Sequence, residues 1–387
     1  MDGRYGRERR LSERLSMNAY NEKMSDEAAL EELSLRIARL ATHYDVVGQW
    51  PEQSIDQLTQ AGAWRWVIPE RYGGLGLDPR SQTLAYEAIA AGCMATLLIL
   101  TQRDAACELI VESDNEQLKD AWLPRLARGE VMTSVGISQL TTSHQTGSAA
   151  LTAGQRGGKF VLNGFIPWVT GAKRCAMVVT GAVLDDGRQI LAVLPTDWPG
   201  VVIDPPMQLM ALQASETSEI HLRNVELDGR FLLRGPVEHA LSSRSTVKPI
   251  VVATAGVGLA GAMARLIRRL AESASSPLAE QATDLQNRYV AVRDRLYAIA
   301  DSLGGGAASE APKTELRIMV NDLLIRLAAG VLIFAKGSGF LRQREAQRLV
   351  REAMFFLVWS APEDVRAGTL GKLLERPAPS YRSMSRN

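Results

Sequence analysis

The chain is poor in the residues from which many catalytic and metal-binding motifs are built. Among 387 residues there are three cysteines and four histidines. Cys93, Cys107 and Cys175 are too few and too scattered for a disulfide framework or a CxxC redox or metal site, and they suit a reducing, cytoplasmic setting. His43, His144, His221 and His239 lie far apart, with no two at metal-ligand spacing, so no metal centre is expected. No GxSxG elbow occurs, which leaves a serine-hydrolase reading without an anchor. An excess of one charge is missing too: 44 Lys plus Arg against 43 Asp plus Glu leaves +1. That balance would not drive phosphate-backbone binding, so nucleic acid is not an expected partner. The longest apolar run, Ile250 to Ala264, is short of the roughly 20 residues a membrane span needs, and three glycines interrupt it. The first 27 residues are rich in Arg, Glu, Asp and Asn without an apolar centre, unlike a secretory signal. No membrane span is expected.

What is present is the texture of a folded globular protein, with 46% hydrophobic and 22% charged residues and length for two or three domains at about 150 residues each. From Asp26 to Arg128 apolar residues recur at helical spacing through Ala29–Leu40, Ile55–Ala63, Leu84–Leu100 and Leu118–Leu126. Between Val131 and Leu233 the pattern shifts to short β-branched runs: Phe160–Leu162, Ala176–Thr180, Ile190–Leu194, Val201–Ile203 and Ile220–Leu227. Asp185-Asp186-Gly187 supplies a hairpin turn between two of them. After Val237 the helical period returns and continues to about Leu374, broken at Gly304–Ser309, which reads as a flexible connection. The boundaries are 1–130 for an α domain, 131–236 for a β domain and 237–387 for a second α domain.

Gly256, Gly258 and Gly261 spell GxGxxG, with Glu272 as a rough candidate for a ribose-binding acid. A dinucleotide fold needs a strand soon after, and Ala271–Arg295 shows none. The glycines are therefore expected to be close-packing positions in one buried helix. Arg265, Arg268 and Arg269 share a helix face, and read as a solvated or interface face rather than a phosphate site.

Several segments, in order, carry a family likeness. Ile68-Pro69-Glu70-Arg71-Tyr72-Gly73-Gly74-Leu75-Gly76-Leu77 resembles a PExYGGxGL signature. Asn115–Lys119, Leu123-Pro124 and Gly129-Glu130 follow. Leu162-Asn163-Gly164 and Trp168-Val169-Thr170 resemble an NGxKxWIT run. Gly337-Ser338-Gly339-Phe340 and Arg348 through Arg351-Glu352-Ala353 match GxGY and ERxxRDA stretches. Over nearly its whole length the chain resembles the acyl-CoA dehydrogenase superfamily. The resemblance implies an α+β fold: an N-terminal helical domain, a middle β-barrel domain and a C-terminal helical bundle, assembled as a homo- or hetero-oligomer with FAD between subunits. It implies a flavoprotein of the oxidoreductase class acting on an acyl-CoA or related small molecule. In that chemistry a carboxylate removes the α-proton of the thioester while the β-hydride goes to the flavin, so base and ring face each other across the substrate.

On the flavin side the resemblance assigns Trp168 to cover the ring, Thr170 to reach its N5 and Ser138 to bond the pyrimidine end. Other cofactor contacts are lost. The TEPxAGSD loop has become Ser138-Gln139-Leu140-Thr141-Thr142-Ser143-His144-Gln145. The RxxFG motif should fall near Ala271–Ser275, where no arginine stands. In QxxGG, Ile333 replaces glutamine and Lys336 the first glycine. Kept and lost contacts to FAD weigh about equally. The base is the sharpest departure: the catalytic glutamate of the family's YEGT falls on Ser360, and the alternative location, just before the arginine that opens the long C-terminal helix, falls on Val247 before Lys248. Ser360-Ala361-Pro362-Glu363 reads instead as a capping box. The expected function is an acyl-CoA dehydrogenase-like flavoprotein with weak or absent α,β-desaturation. The alternatives are a non-catalytic partner subunit or binding module of a heteromeric acyl-CoA dehydrogenase, and a flavin-dependent monooxygenase of the same fold.

Overall fold

A computed structural model describes residues 27–140, 149–241, 248–272, 275–303 and 310–374. The expected break at Gly304–Ser309 lies outside the described residues. Five helices come first: α1 (Glu27–Val47), α2 (Glu52–Gln60), α3 (Pro79–Gly92), α4 (Met94–Glu112) and α5 (Glu116–Ala127). Eight strands follow: β1 (Thr133–Gly136), β2 (Leu151–Arg156), β3 (Lys159–Val169), β4 (Met177–Leu184), β5 (Gln189–Pro195), β6 (Val201–Ile203), β7 (Ser218–Leu227) and β8 (Leu232–Val237). The last five helices are α6 (Lys248–Ala271), α7 (Ser276–Leu303), α8 (Glu310–Ala335), α9 (Glu345–Phe355) and α10 (Glu363–Leu374).

Local chemistry sets several boundaries. Asp78 caps α3, its carboxylate accepting from the Arg80 and Ser81 amides at 2.9 and 3.1 Å, with Pro79 in the first turn. Asn115 does the same for α5 through the Leu118 amide. The run Leu84–Leu100 is two helices rather than one. Gly92 lies so close to α1 that a Cβ there would stand 2.6 Å from the Ser34 carbonyl oxygen, and the next residue, Cys93, turns extended at φ −155°.

The strands hydrogen-bond in the order β6-β7-β3-β2-β4-β5-β8, with β1 parallel to β4. The Asp185–Gly187 turn closes the antiparallel β4–β5 pair as its sequence predicts, with Gly187 at φ +85°. Alternation along β4 sends Val178, Ala182 and Leu184 into the sheet's own core and Met177, Val179 and Val183 against α4 and α5. Both faces are covered, which is why β4 and β5 read as unbroken apolar runs.

The first four helices and the C-terminal helices share one core, and α6 runs through it. A Cβ on Gly256 would meet Val320 at 2.3 Å, one on Gly258 the Glu87 carbonyl oxygen at 2.4 Å, and one on Gly261 the Tyr289 hydroxyl at 2.9 Å. Each glycine admits a different neighbour, and helix α7 follows, so the three are packing positions. Among the described residues, two helices are long and apolar enough to cross a membrane. The Ile250–Ala271 stretch is 78% buried inside the protein, whereas Pro312–Phe340 is 44% buried and leaves Ile333 and Phe340 exposed.

Candidate functional site

Trp168 and Thr170 stand at the end of β3, flanking Val169, whose side chain points into the sheet core. Trp168 is 51% exposed, a large aromatic surface left uncovered within the chain. Thr170 is buried; its hydroxyl lies 3.4 Å from that of Thr217, which in turn is 2.8 Å from the Ser215 hydroxyl. The backbone supports this end of the strand. Gly171 turns left-handed at φ +62° and its amide donates to the Ser215 carbonyl at 3.0 Å.

Ser138 is brought to the same end of the sheet. A Cβ on Gly136 would approach Ile166 and Val169 within 2.5 and 2.8 Å, so the last residue of β1 lies directly on β3. Ser138 opens the short 3-10 turn that follows, half-buried. The buried Gln139 amide anchors that turn, its Nε2 donating to Gly136 O, Thr180 Oγ1 and Gly181 O at 3.1, 3.0 and 2.9 Å. The remainder of the altered phosphate loop, Thr141 to Gln145, lies outside the described residues, as do Val247 and part of Ala271–Ser275.

Ser360 occupies a different place, the turn between α9 and α10, exposed and at φ +43°. Among the described residues it forms no side-chain hydrogen bond. The capping-box expectation does not hold. Helix α10 begins at Glu363, and the Arg366 amide donates to the Pro362 carbonyl at 3.0 Å, making Pro362 the cap. Ser360 is two residues too early, in a left-handed conformation where an N-cap is extended. Glu363 and Asp364 are exposed in the first turn of α10, and Asp364 accepts from the Thr314 hydroxyl at 3.2 Å.

The charges of the Arg348–Glu352 motif are tied up in packing. Arg348 holds Glu352 at 2.9 Å, both side chains buried. Burial pushes the Glu352 carboxyl upward, against the pull of Arg348. Arg351 reaches Asp45 in α1 and the Met210 carbonyl, both at 2.5 Å, clamping α9 to the connection between β6 and β7. In the QxxGG stretch Lys336 keeps a glycine-like backbone, φ +52°. Nearby, a cleft of about 670 Å³ opens between the end of α1, the β6–β7 connection and the stretch from Leu332 to Arg351.

Two arrangements were not visible from spacing. His221 Nε2 lies 2.9 Å from Glu219 and 3.2 Å from Asp204, three donors on the outer side of the β6–β7 edge. An imidazole N–H set between two carboxylates accounts for the trio without an ion. The second is Arg317 of α8, 7% exposed, whose Nη2 donates to the carbonyls of Phe356 at 2.7 Å and Trp359 at 3.0 Å. Its signal in the sequence was its register: Leu316, Val320 and Leu324, all buried, flank it on α8.

Comparison with known proteins agrees with this geometry. The family model described as "Acyl-CoA dehydrogenase, N-terminal domain" matches residues 21–130. The probable acyl-CoA dehydrogenase YngJ of Bacillus subtilis is 24% identical over 355 residues, 87% of this chain and 93% of that protein. The fold of butyryl-CoA dehydrogenase from Megasphaera elsdenii superposes with a TM-score of 0.77 at 19% identity, over 90% of this chain and 98% of that one. A nitrososynthase from Micromonospora carbonacea superposes at 0.75 and 18% identity, over 92% and 97%. Helices, sheet and helices in this order, the N-terminal family match and relatives aligned along most of the length lead to one assignment: residues 21–130 match the acyl-CoA dehydrogenase N-terminal domain, and the chain has the acyl-CoA dehydrogenase fold.

Proposed function

We propose that the protein is an acyl-CoA dehydrogenase-like flavoprotein in which α,β-desaturation is weak or absent. The observation that carries this reading is the turn at residues 356–360. Where the family has its catalytic carboxylate this chain has the exposed hydroxyl of Ser360, and the charged group bonded to that turn is the Arg317 guanidinium. A neutral hydroxyl does not abstract an α-proton unaided, and a cation alongside offers no base.

The ring end of an FAD site is supported by the residues present. Trp168 leaves an indole face uncovered, Thr170 places a hydroxyl beside it and Ser138 a second one at the end of β1. When bound, FAD supplies an acceptor for hydride. The chain's own part is to cover the ring with Trp168, to orient it through the Thr170 and Ser138 hydroxyls, and to hold Thr170 in place through Thr217 and Ser215.

Two other readings each rest on an observation. The exposed apolar side chains Ile333, Phe340 and Leu341 beside the altered QxxGG stretch suit an oligomer face, which favours a partner subunit of a heteromeric dehydrogenase. The superposition on a nitrososynthase suits a flavin monooxygenase, which needs no α-proton base.

Visible absorbance of the purified full-length protein is the test. A yellow protein whose flavin stays oxidised when butyryl-CoA is added without oxygen is the expected result. A flavin that bleaches promptly would overturn the loss of the base, and a protein that stays colourless after incubation with FAD would leave the partner-subunit reading in its place.

A further inference from the structure

Two residues of the β6–β7 connection hold backbone conformations that their side chains disfavour. Leu212 and Glu216 are left-handed at φ +62° and +46°, one on each side of the short 3-10 turn Gln213–Ser215. That region is uncommon for a residue with a Cβ, and an outlier for one as bulky as leucine. Such backbone persists only where its surroundings over-determine it, and it gathers at active sites and ligand clamps. Here the surroundings are specific. Leu212 is buried in the helical core. The Gln213 side chain accepts from the Leu209 amide at 2.6 Å and donates to the Met207 carbonyl at 2.8 Å. Glu216 fixes the far end with a carboxylate that has two partners: Oε1 accepts from the Trp50 amide and Oε2 from Arg174 Nε, both at 3.2 Å. Trp50 lies between α1 and α2, and Arg174 in the turn after β3, so one side chain ties three segments together. What they enclose is the support of Thr170. The Ser215 carbonyl receives the Gly171 amide at 3.0 Å, the Ser215 hydroxyl lies 2.8 Å from that of Thr217, and Thr217 lies 3.4 Å from Thr170. The Trp50 ring closes the other side of Gly171, where a Cβ would meet it at 2.8 Å. Glu216 thus holds both groups that grip residue 171, Ser215 through the backbone and Trp50 through its amide.

We propose that Glu216 is a positioning residue for the flavin ring: by holding the 212–217 turn in its left-handed form it keeps the Thr170 hydroxyl in place, acting through Thr170 rather than on the cofactor itself. The inference rests on the flavin reading above and names the residue that makes the Thr170 contact rigid. A hydroxyl fixed in advance binds without the entropy cost of being ordered at that moment.

A double-substitution cycle on FAD affinity decides the matter, read from the change in flavin fluorescence as FAD is titrated with the full-length apoprotein. Thr170→Val removes the hydroxyl and should weaken FAD binding about tenfold. Glu216→Ala should weaken it about five- to tenfold by letting the turn relax. The doubly substituted protein should match Thr170→Val within about twofold, because Glu216 then has no hydroxyl left to position; independent effects would instead multiply to about 50- to 100-fold. Glu216→Gln keeps an acceptor for the Trp50 amide and should keep part of the affinity. A side chain that only stabilises the fold predicts a lower melting temperature with losses in affinity that multiply, and that result overturns the proposal. So does unchanged FAD affinity in either single variant, while the flavin reading stands. An unaltered protein that binds no FAD overturns both. Should Glu216→Ala fail to fold, Arg174→Gln breaks the same ion pair from its more exposed partner, and its cycle with Thr170→Val decides in the same way.

Discussion

Placing a glutamate at position 360 of the flavin-loaded protein tests the proposed loss of the base directly, and the structure says how far it should succeed. A positioned general base is worth about 10²–10⁴ in rate, which corresponds to about 2.7–5.5 kcal/mol of barrier. Backbone strain adds little to the comparison. Residue 360 is already left-handed at φ +43°, and the penalty of about 1–2 kcal/mol falls on serine and glutamate alike because both carry a Cβ. Charge matters more. Arg317 donates to the carbonyl of Trp359, one residue earlier, at 3.0 Å, and a guanidinium that close to a new carboxylate lowers its pKa by about 1–3 units. A carboxylate so stabilised is a weaker base, so Ser360→Glu alone should speed anaerobic flavin reduction by butyryl-CoA only about tenfold. Adding Arg317→Gln should raise the gain to about 10² or more. Stopped-flow bleaching of the flavin measures both. Full recovery from Ser360→Glu alone, with nothing gained from the second substitution, would refute the claim that Arg317 sets the charge at this turn.

Three further outcomes follow from the packing. Trp168→Ala removes a half-exposed ring, so urea unfolding should shift by at most about 1 kcal/mol, while the flavin retained through gel filtration should fall sharply; unchanged flavin content would remove Trp168 from the site. Gly258→Ala drives a Cβ to 2.4 Å from the Glu87 carbonyl oxygen and 2.5 Å from Ala90 Cβ and should cost about 1–3 kcal/mol in the same assay. Gly229→Ala, with nothing within 4 Å, should stay within about 0.5 kcal/mol; equal stability of the two variants would undo the close-packing account of α6. Asp78→Ala should cost about 1 kcal/mol at neutral pH through the lost cap of α3. Burial pushes that carboxyl up, but the Ser81 hydroxyl and the Ser81 and Arg80 amides outweigh it and hold it below its ordinary value. Its contribution is therefore present above the ordinary carboxylate range and lost as pH falls through the folded value, so the difference between wild type and variant should shrink in acid.

The parts of the fold legible in the sequence were those whose cause is local. The β4–β5 hairpin announces itself by two apolar runs around Asp-Asp-Gly, and the packing glycines of α6 by the helical period that continues past them. β1 escaped notice because its reason is distant, whereas β2 was missed although it pairs with β3 across the short Gly157-Gly158 turn. The four residues of β1 are fixed by parallel pairing with β4 some forty positions later, and the break at Cys93 by the approach of α1 to Gly92. The same division holds at the site. Trp168, Thr170 and Ser138 were nameable through motif position, and Gly136 lets β1 lie on the end of β3 that carries the first two. The hydroxyls of Ser215 and Thr217 lie more than forty residues from Thr170 and carry no motif.

Ser360 and Arg317 show where a local reading of the sequence misleads. Serine, proline and glutamate at capping spacing predict a helix start, yet α10 begins later because Pro362 takes the cap and Ser360 is held left-handed behind it. An arginine in a long helix reads as solvated until its apolar neighbours on the same face are counted. Together the two residues set what the turn can do. Losing a carboxylate by itself would leave an inert pocket that tolerates a neutral acyl chain. A buried cation bonded to the same turn makes the local charge positive, which weakens any base placed there. Rate recovery at position 360 therefore probes this electrostatic feature, and removing Arg317 must improve it.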